Sequence, residues 1–280
     1  MAELRATVAD GVELAYRVAG EGAPVILIHA AGLADFFAPL YESRLRERSQ
    51  VISYHRVGYG RSSRAPNGTT ISDQAGHCRG LLHHLGRSSA HVVGHSSGGV
   101  IALELARQSP HLVATLSLLE PSLPVPGSAD PASSVIQPAF AAYLAGDKAT
   151  AIDTFLAGVC GPDYPTLVDR ILPTGARRQA ADDADTLFTV EAPSVGQWAF
   201  DPSLLTELRM PVLSVLGERS DEVSAISREA HELLLAQVTD IESYVLPHAT
   251  HLLQVQNSAD LADALARFID RRPRGVVEPQ

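Results

Sequence analysis

The chain has 280 residues, of which 45% are hydrophobic and 19% are charged, and its formal net charge is −10. This apolar content is enough for a packed core and excludes wholesale disorder. The acidic net charge argues against nucleic acid or an anionic membrane surface as a partner. The sequence leaves the oligomeric state open, with a homodimer as one option.

Short apolar runs alternate with longer amphipathic segments in the first half of the chain, which predicts an α/β fold with a mostly parallel sheet and helices on both faces. The opening differs, because two alternating strands joined at Asp10 and Gly11 carry the signal of a β-hairpin. The elements predicted after this hairpin are, in chain order, a strand at 24–30, a helix at 33–47, a strand at 51–57, a helix at 71–85, a strand at 90–96, a helix at 97–108 and a strand at 112–121.

The alternation stops between Pro121 and Met210, where helical patterns are separated by joints that contain proline. It resumes with the predicted strand 211–218, helix 224–236, strand 241–247 and helix 258–272. The sequence therefore predicts a core domain formed by residues 1–120 and 211–280, with residues 121–210 inserted as a helical cap.

Targeting and metal-binding patterns are not evident in the sequence. The first residues lack a basic region followed by an apolar one, and no apolar run approaches the roughly 20 residues of a membrane span. Cys78 and Cys160 have the spacing of neither a disulfide framework nor a metal site. We therefore expect a cytoplasmic protein without membrane association, metal or cofactor.

The stretch 92–100, VVGHSSGGV, crowds glycine and serine between a predicted strand and a predicted helix. It matches G-x-S-x-G with Ser96 at its centre, a pattern in which the central residue occupies a sharp, strained strand-to-helix turn. Such a turn exposes Ser96 Oγ at the positive end of the following helix. Ser96 is the candidate nucleophile, and the backbone amide of Ser97 is a candidate donor to an oxyanion.

A second oxyanion donor is expected from the turn after an earlier strand. The stretch LIHAAG ends such a strand at His29, and the small residues that follow allow backbone to approach a substrate. We assign the second amide to Ala31. His29 and Ala30, together with His95 in the elbow, are predicted to lie beside the substrate rather than to perform the chemistry.

A serine hydroxyl needs a general base within hydrogen-bond reach, and histidine is the usual one. Of eleven histidines, those in LPHATHLLQ lie between the last strand and the last helix, in a loop that reaches back over the sheet. His251 is the predicted base, with His248 as the alternative. The pair does not match H-E-x-x-H and has no third ligand nearby, which argues against a metal site.

The group that orients the histidine has two candidates. Asp221 follows the strand 211–218, the usual position in the chain order serine, acid, histidine. Glu120 ends the preceding, strongly apolar strand, where a carboxylate is costly to desolvate unless a cationic or donor partner compensates it. Asp221 lies in a polar turn that needs no such partner, so we favour Glu120 and keep Asp221 as the alternative.

Taken together, these features resemble the α/β-hydrolase family of serine hydrolases over nearly the whole chain. The matching motifs are HAAG after the first apolar strand, HRVGYGRSS in place of D-x-R-G-x-G-x-S, the elbow, the insertion after LLEP, and the segments GERSD and HATH. The resemblance implies the α/β-hydrolase fold, with the insertion covering the active site as a cap.

The chain departs from the family pattern at several positions. Ala30 replaces the usual glycine, and His55 and Val57 stand where the family often has Asp and Arg. GERSD places its acid one residue later than the common G-x-x-D, which weakens the case for Asp221. A glutamate on the earlier strand resembles the arrangement in zearalenone-type lactonases and some haloalkane dehalogenases.

Trp198, the lone tryptophan of the predicted cap, is a candidate for an apolar substrate wall. The sequence predicts a cofactor-free serine hydrolase that cleaves a carboxylic ester or lactone of a mid-sized apolar small molecule. Two alternatives stay open: hydrolysis of a C–C bond in a β-diketone-like substrate, and a non-enzymatic ligand receptor on a hydrolase scaffold. Dehalogenases and epoxide hydrolases of this family use an Asp nucleophile, so Ser96 argues against those chemistries.

Overall fold

A computed structural model describes residues 3–64, 68–125 and 131–272. An eight-stranded sheet lies at the centre. The strands are β1 Leu4–Thr7, β2 Glu13–Ala19, β3 Ala23–Ile28, β4 Ser49–Tyr54, β5 Ala90–His95, β6 Val113–Leu119, β7 Val212–Gly217 and β8 Ile241–Leu246. Their order in the sheet is β1-β2-β4-β3-β5-β6-β7-β8. β2 pairs antiparallel with β1 and β4, and the pairings from β4 to β8 are parallel. The predicted mostly parallel sheet is confirmed.

Helices connect these strands and form the insertion between β6 and β7. They are α1 Ala38–Tyr41, α2 Ile71–His84, α3 Ser97–Gln108, α4 Pro131–Leu144, α5 Lys148–Cys160, α6 Tyr164–Ile171, α7 Ala176–Asp182, α8 Ala192–Gln197, α9 Ser203–Thr206, α10 Ile226–Gln237, α11 Leu253–Gln256 and α12 Ser258–Asp270. Short 3₁₀ turns occur at Ala9–Gly11, Arg44–Glu47, Pro110–Leu112 and Ser220–Glu222, and a π-helical turn spans Thr186–Glu191.

The helix predicted at 33–47 is wrong as a continuous element. Only α1 and the 3₁₀ turn Arg44–Glu47 form there. Ser43 separates them: its backbone is extended, its hydroxyl donates to the carbonyl of Leu40, and its Oγ accepts from the amide of Leu45. A serine that bonds its own neighbouring backbone in this way competes with helix propagation.

Helices cover both faces of the sheet, so its central strands are almost entirely buried and consist mostly of apolar residues. In β3, Val25 and Leu27 point to the cluster that contains Phe268 of α12. Ile26 and Ile28 point to the opposite cluster, which packs against α2, α3 and α10. This alternation fixes the register of β3 and therefore the height at which its carboxyl end meets the start of α3.

The insertion packs on the core through a third apolar cluster. Leu156 and Leu187 of the insertion are buried there with Leu33, Phe36 and Leu252 of the core. Apolar contacts therefore hold the helices over the carboxyl edge of the sheet, where the ends of β5 and β6 lie.

Buried polar contacts also join the insertion to the core. Arg56 donates to Glu191 at 2.7 Å and to Gln74 at 2.8 Å, and Tyr59 donates to the other oxygen of Glu191. Both charged side chains of this pair are at most 2% exposed. Glu191 ends the π-helical turn, an irregularity common at functional sites. We call the group formed by Arg56, Tyr59, Gln74 and Glu191 the cap latch.

No helix in the described ranges is long and apolar enough to cross a bilayer.

Candidate active site

The turn between β5 and α3 carries Ser96 in a backbone conformation that L-residues rarely adopt, with φ 54° and ψ −123°. Its amide donates to the carbonyl of Leu119 at 3.0 Å, so the turn is tied to the end of β6. Strain of this kind persists only where surrounding contacts enforce it and is common at functional sites. The predicted strained elbow at Ser96 is therefore present.

Close packing explains the glycines of the elbow. A Cβ on Gly94 would lie 2.4 Å from the carbonyl oxygen of Gly98, and one on Gly98 would lie 2.2 Å from the carbonyl oxygen of Ile28. Without these side chains α3 approaches both β5 and β3. The amide of Ser97, in the first turn of α3, is thereby brought to the turn that follows β3.

The pairing of acid and base is well defined. Glu120 follows β6 with φ 42°, and its Oε2 lies 2.6 Å from Nδ1 of His251. Its other oxygen accepts from the amide of Gly217 at 2.7 Å and from the hydroxyl of Ser220. Because Nδ1–H of His251 donates to the carboxylate, Nε2 is left as the nitrogen that can accept a proton.

Opposing effects act on the pKa of Glu120. Burial raises it, but the hydrogen bond and charge of His251, the Ser220 hydroxyl and the Gly217 amide outweigh burial and lower the pKa to about 2. The carboxylate is thus ionised at neutral pH although its side chain is fully buried. An ionised carboxylate at this point stabilises a positive charge on the imidazole.

Glu120 is expected to make the stability of the protein depend on acid pH. Its folded-state pKa of about 2 lies below the ordinary 4.5, so its contribution is fully present above 4.5 and is lost as the pH falls toward 2. Glu120→Gln should therefore destabilise the protein at neutral pH, and its difference from wild type should shrink from about pH 5 to about pH 3. Urea unfolding of both proteins across this range measures the difference; a constant difference would contradict the prediction.

The two alternative residues are elsewhere, and the structure corrects both. Asp221 forms an exposed ion pair with Arg228 at 2.6 Å. His248 is 87% exposed and lies near Glu218. Neither meets Glu120 or the ring of His251, because the polar turns that carry them face solvent.

Ser220 belongs to the candidate site, although the sequence analysis did not single it out. It stands at the acid position of the common G-x-x-D, counted from Gly217, and its buried hydroxyl donates to Glu120. The shift of the acid in GERSD was the available signal. The candidate acid Glu120 follows the neighbouring strand β6, and Ser220, at the usual position of the acid, donates a hydrogen bond to it.

A cavity of about 760 Å³ lies between the core and the insertion, and it contains the predicted site. Most of the predicted residues line it: Ala30, Ala31, His95, Ser96, Ser97, Glu120, Trp198 and His251. Ser96 Oγ is hydrogen-bonded to Ser122 Oγ at 3.0 Å, and within the described residues no hydrogen bond joins it to the ring of His251. The candidate nucleophile Ser96 and the candidate base His251 therefore line one cavity, in which the Ser96 hydroxyl is hydrogen-bonded to that of Ser122.

His29 is held outside the cavity lining, which corrects the prediction that it contacts substrate. Its Nδ1–H donates to the carbonyl of Ala30 at 2.7 Å, and its Nε2 accepts from the amide of Arg56 at 3.0 Å. Burial and the charge of Arg56 lower the pKa of His29 well below its ordinary value. The neutral ring therefore connects the segments that follow β3 and β4 through these two hydrogen bonds.

His95 and Trp198 both line the cavity. The His95 ring packs 4.7 Å from that of His251, and Gln254 hydrogen-bonds its Nδ1 at 3.2 Å. Burial and the proximity of His251 lower the pKa of His95, so it packs as a neutral ring. The Trp198 indole N–H points to Glu104 at 3.4 Å.

In the described residues no group of three potential ligands is placed to hold a metal ion.

A comparison with protein families identifies the class. The family described as "Alpha/beta hydrolase family" matches residues 25–264. The chain therefore belongs to the alpha/beta hydrolase family, and this membership supports a hydrolytic function.

Individual curated proteins resemble the chain either over part of its length or at low sequence identity. The chain is 37% identical over 110 residues to the "Putative carbamate hydrolase RutD" of Azorhizobium caulinodans, covering 38% of this chain and 40% of that protein. The chain spans less than half the length of this protein and of two other curated relatives that it matches. It is 24% identical over 279 residues to the 2-hydroxy-6-oxo-6-(2'-aminophenyl)hexa-2,4-dienoic acid hydrolase of Metapseudomonas resinovorans, covering 94% of this chain and 90% of that protein.

Among solved structures, a thermophilic esterase from Thermogutta terrifontis superposes with a TM-score of 0.82 and 22% identity, covering 98% of this chain and 100% of that one. At that identity the likeness shows the shared fold.

Proposed function

We propose that the protein is a serine hydrolase that cleaves a carboxylic ester or lactone of a neutral, apolar small molecule. The observation that carries this proposal is the contact of 2.6 Å between the buried carboxylate of Glu120 and His251, in the same cavity as the strained Ser96. A buried, ionised carboxylate under a histidine prepares that ring to accept a proton.

The residues would act in two half-reactions. Ser96 Oγ attacks the carbonyl carbon while His251 takes its proton and then passes it to the leaving alcohol oxygen, which produces an acyl-enzyme. Water attacks this ester with His251 again as base, and Ser96 is regenerated with release of the acid. The amides of Ala31 and Ser97 are the proposed donors to the oxyanion in both steps.

The charge of the cavity supports a neutral substrate. Among the described residues, no lysine or arginine lines it, and its acidic lining residues are Glu120 and Glu191. The remaining lining is mostly aliphatic and aromatic, with Phe155 and Trp198 among the larger side chains. A substrate carboxylate would enter this cavity without a cationic partner, which is costly. The lining therefore favours an uncharged ester or lactone over a dienoate such as the one named for the Metapseudomonas relative.

A paired activity screen tests the proposal. We expect 4-nitrophenyl esters of medium acyl length and neutral lactones to be hydrolysed, with kcat/KM at least about 100-fold above that for a dienoic acid substrate. We also expect a fluorophosphonate to label Ser96 and to abolish activity. Preferred cleavage of the dienoate would instead support the C–C hydrolase alternative, and absence of labelling would support the receptor alternative. Ser96→Ala is the control for labelling.

A further inference from the structure

Ser122 contacts the candidate nucleophile at two points, although it belongs to neither the elbow nor the histidine loop. Its amide donates to the carbonyl of Ser96 at 3.1 Å, and its Oγ lies 3.0 Å from Ser96 Oγ. It also lines the cavity. Its hydroxyl is therefore held beside the position at which bonds to substrate form and break.

The backbone around Ser122 is fixed by packing. Glu120, two residues earlier, is anchored to His251, Ser220 and Gly217. Pro121 packs closely on α3: a Cβ added to Gly99 would lie 2.8 Å from the Cβ of Pro121. The Ser122 hydroxyl thus stands on a backbone set by the same contacts that place the acid.

We propose that Ser122 is a positioning residue for the water that hydrolyses the acyl-enzyme. This inference rests on the proposed function, because it requires that Ser96 be acylated. In the free protein the two hydroxyls share one hydrogen bond. After acylation Ser96 Oγ is an ester oxygen without a proton, so it cannot donate to Ser122, and a lone pair of the Ser122 hydroxyl is available to accept a hydrogen bond from a new partner.

The hydrolytic water is that partner. It must lie close to the acyl carbon on Ser96 and within hydrogen-bond reach of His251, which removes its proton. Ser122 lines the same cavity as both and can accept the second hydrogen of the water, which directs the oxygen lone pair to the carbonyl carbon. Orienting a water in this way lowers the barrier by restricting its motion before the reaction.

The proton and electron balance leaves Ser122 unchanged. The water oxygen forms the bond to the acyl carbon as His251 takes one proton. The tetrahedral intermediate then breaks its bond to Ser96 Oγ, which receives that proton from His251, and the carboxylic acid is released. Ser122 holds its own proton throughout, so it influences the second half-reaction by hydrogen bonding alone.

Ser122→Val and Ser122→Thr form a matched pair, since both side chains have the same shape and only threonine keeps the hydroxyl. Rapid mixing with a 4-nitrophenyl ester gives the acylation rate from release of nitrophenol. The mass of the quenched protein gives the decay of the acyl-enzyme. We expect Ser122→Val to slow acyl-enzyme decay about tenfold or more while acylation stays within about threefold, and Ser122→Thr to retain most of the wild-type decay rate.

Steady-state kinetics give a second readout. Where deacylation limits turnover, Ser122→Val should lower kcat and KM together and leave kcat/KM, which reports acylation, nearly unchanged. An equal loss in both half-reactions would show a structural role and overturn the inference, as would wild-type decay in Ser122→Val. If wild type formed no acyl-enzyme at all, the proposed function itself would fail. Thermal unfolding of both variants establishes that they fold.

Discussion

Glu120→Gln is expected to lower kcat by about 10³- to 10⁴-fold, whereas Asp221→Asn should leave kcat within about twofold of wild type. Glutamine keeps the size of the side chain but presents no negative charge to the imidazolium, and its amide group can favour the wrong tautomer of His251. Asp221 is paired with Arg228 at the surface, so its loss removes only an exposed ion pair. Steady-state hydrolysis of one 4-nitrophenyl ester by both variants measures the contrast.

Ser220→Ala tests the hydrogen bond to Glu120 separately from the charge of Glu120. It removes a hydroxyl donor to Glu120 but leaves the contact with His251, so we expect a loss of about tenfold, between those of the other two variants. A large loss in Asp221→Asn with little effect in Glu120→Gln would contradict the assignment of the acid and leave Ser96 and His251 as nucleophile and base.

Breaking the cap latch is expected to destabilise the protein by about 3–5 kcal/mol. Arg56→Met removes the cation that lies 2.7 Å from Glu191 and leaves that carboxylate buried beside Tyr59. The uncompensated charge, rather than the lost contact, dominates the cost. The free energy of unfolding of Arg56→Met, from urea titration at neutral pH, tests this value.

A double-mutant cycle and an exposed pair supply the controls. Adding Glu191→Gln to Arg56→Met removes the stranded charge and should recover a substantial part of the lost stability. Arg46→Met breaks an exposed ion pair with Glu42 and should cost less than about 1 kcal/mol. Equal losses of unfolding free energy in Arg56→Met and Arg46→Met would show that the cap latch does not stabilise the packing of the insertion on the core.

The sequence predicted elements where local patterns are strong. The hairpin at Gly11 and the apolar strands followed from residue type alone, and β1 pairs with β2 as expected. The helix at 33–47 failed because the hydrophobic spacing there is helical, while Ser43 bonds the backbone of its neighbours and interrupts the helix. Such local competition is visible only once the side-chain geometry is known.

The same limit applies to the site. Glu120 was identified because a carboxylate at the end of an apolar strand needs a partner, and the structure supplies His251. The only signal for Ser220 is its place in GERSD, where the common pattern has the acid, and Ser122 lies between Pro121 and Leu123 with no motif that distinguishes it. The position of His29 directly after β3 predicts a contact with substrate, yet its ring accepts a hydrogen bond from the amide of Arg56. Sequence reasoning located the edge of the sheet but not the direction of every side chain on it.

The order of β5, β6 and β7 in the sheet has a consequence for how the protein can diverge. The candidate nucleophile and the candidate acid follow the adjacent strands β5 and β6, and Glu120 accepts hydrogen bonds from Gly217 at the end of β7 and from Ser220 in the loop beyond it. The segment beyond Ser220 lines the cavity with Ser224, Ile226 and Ser227. It is accordingly a place where we expect substitutions to change the contacts with substrate.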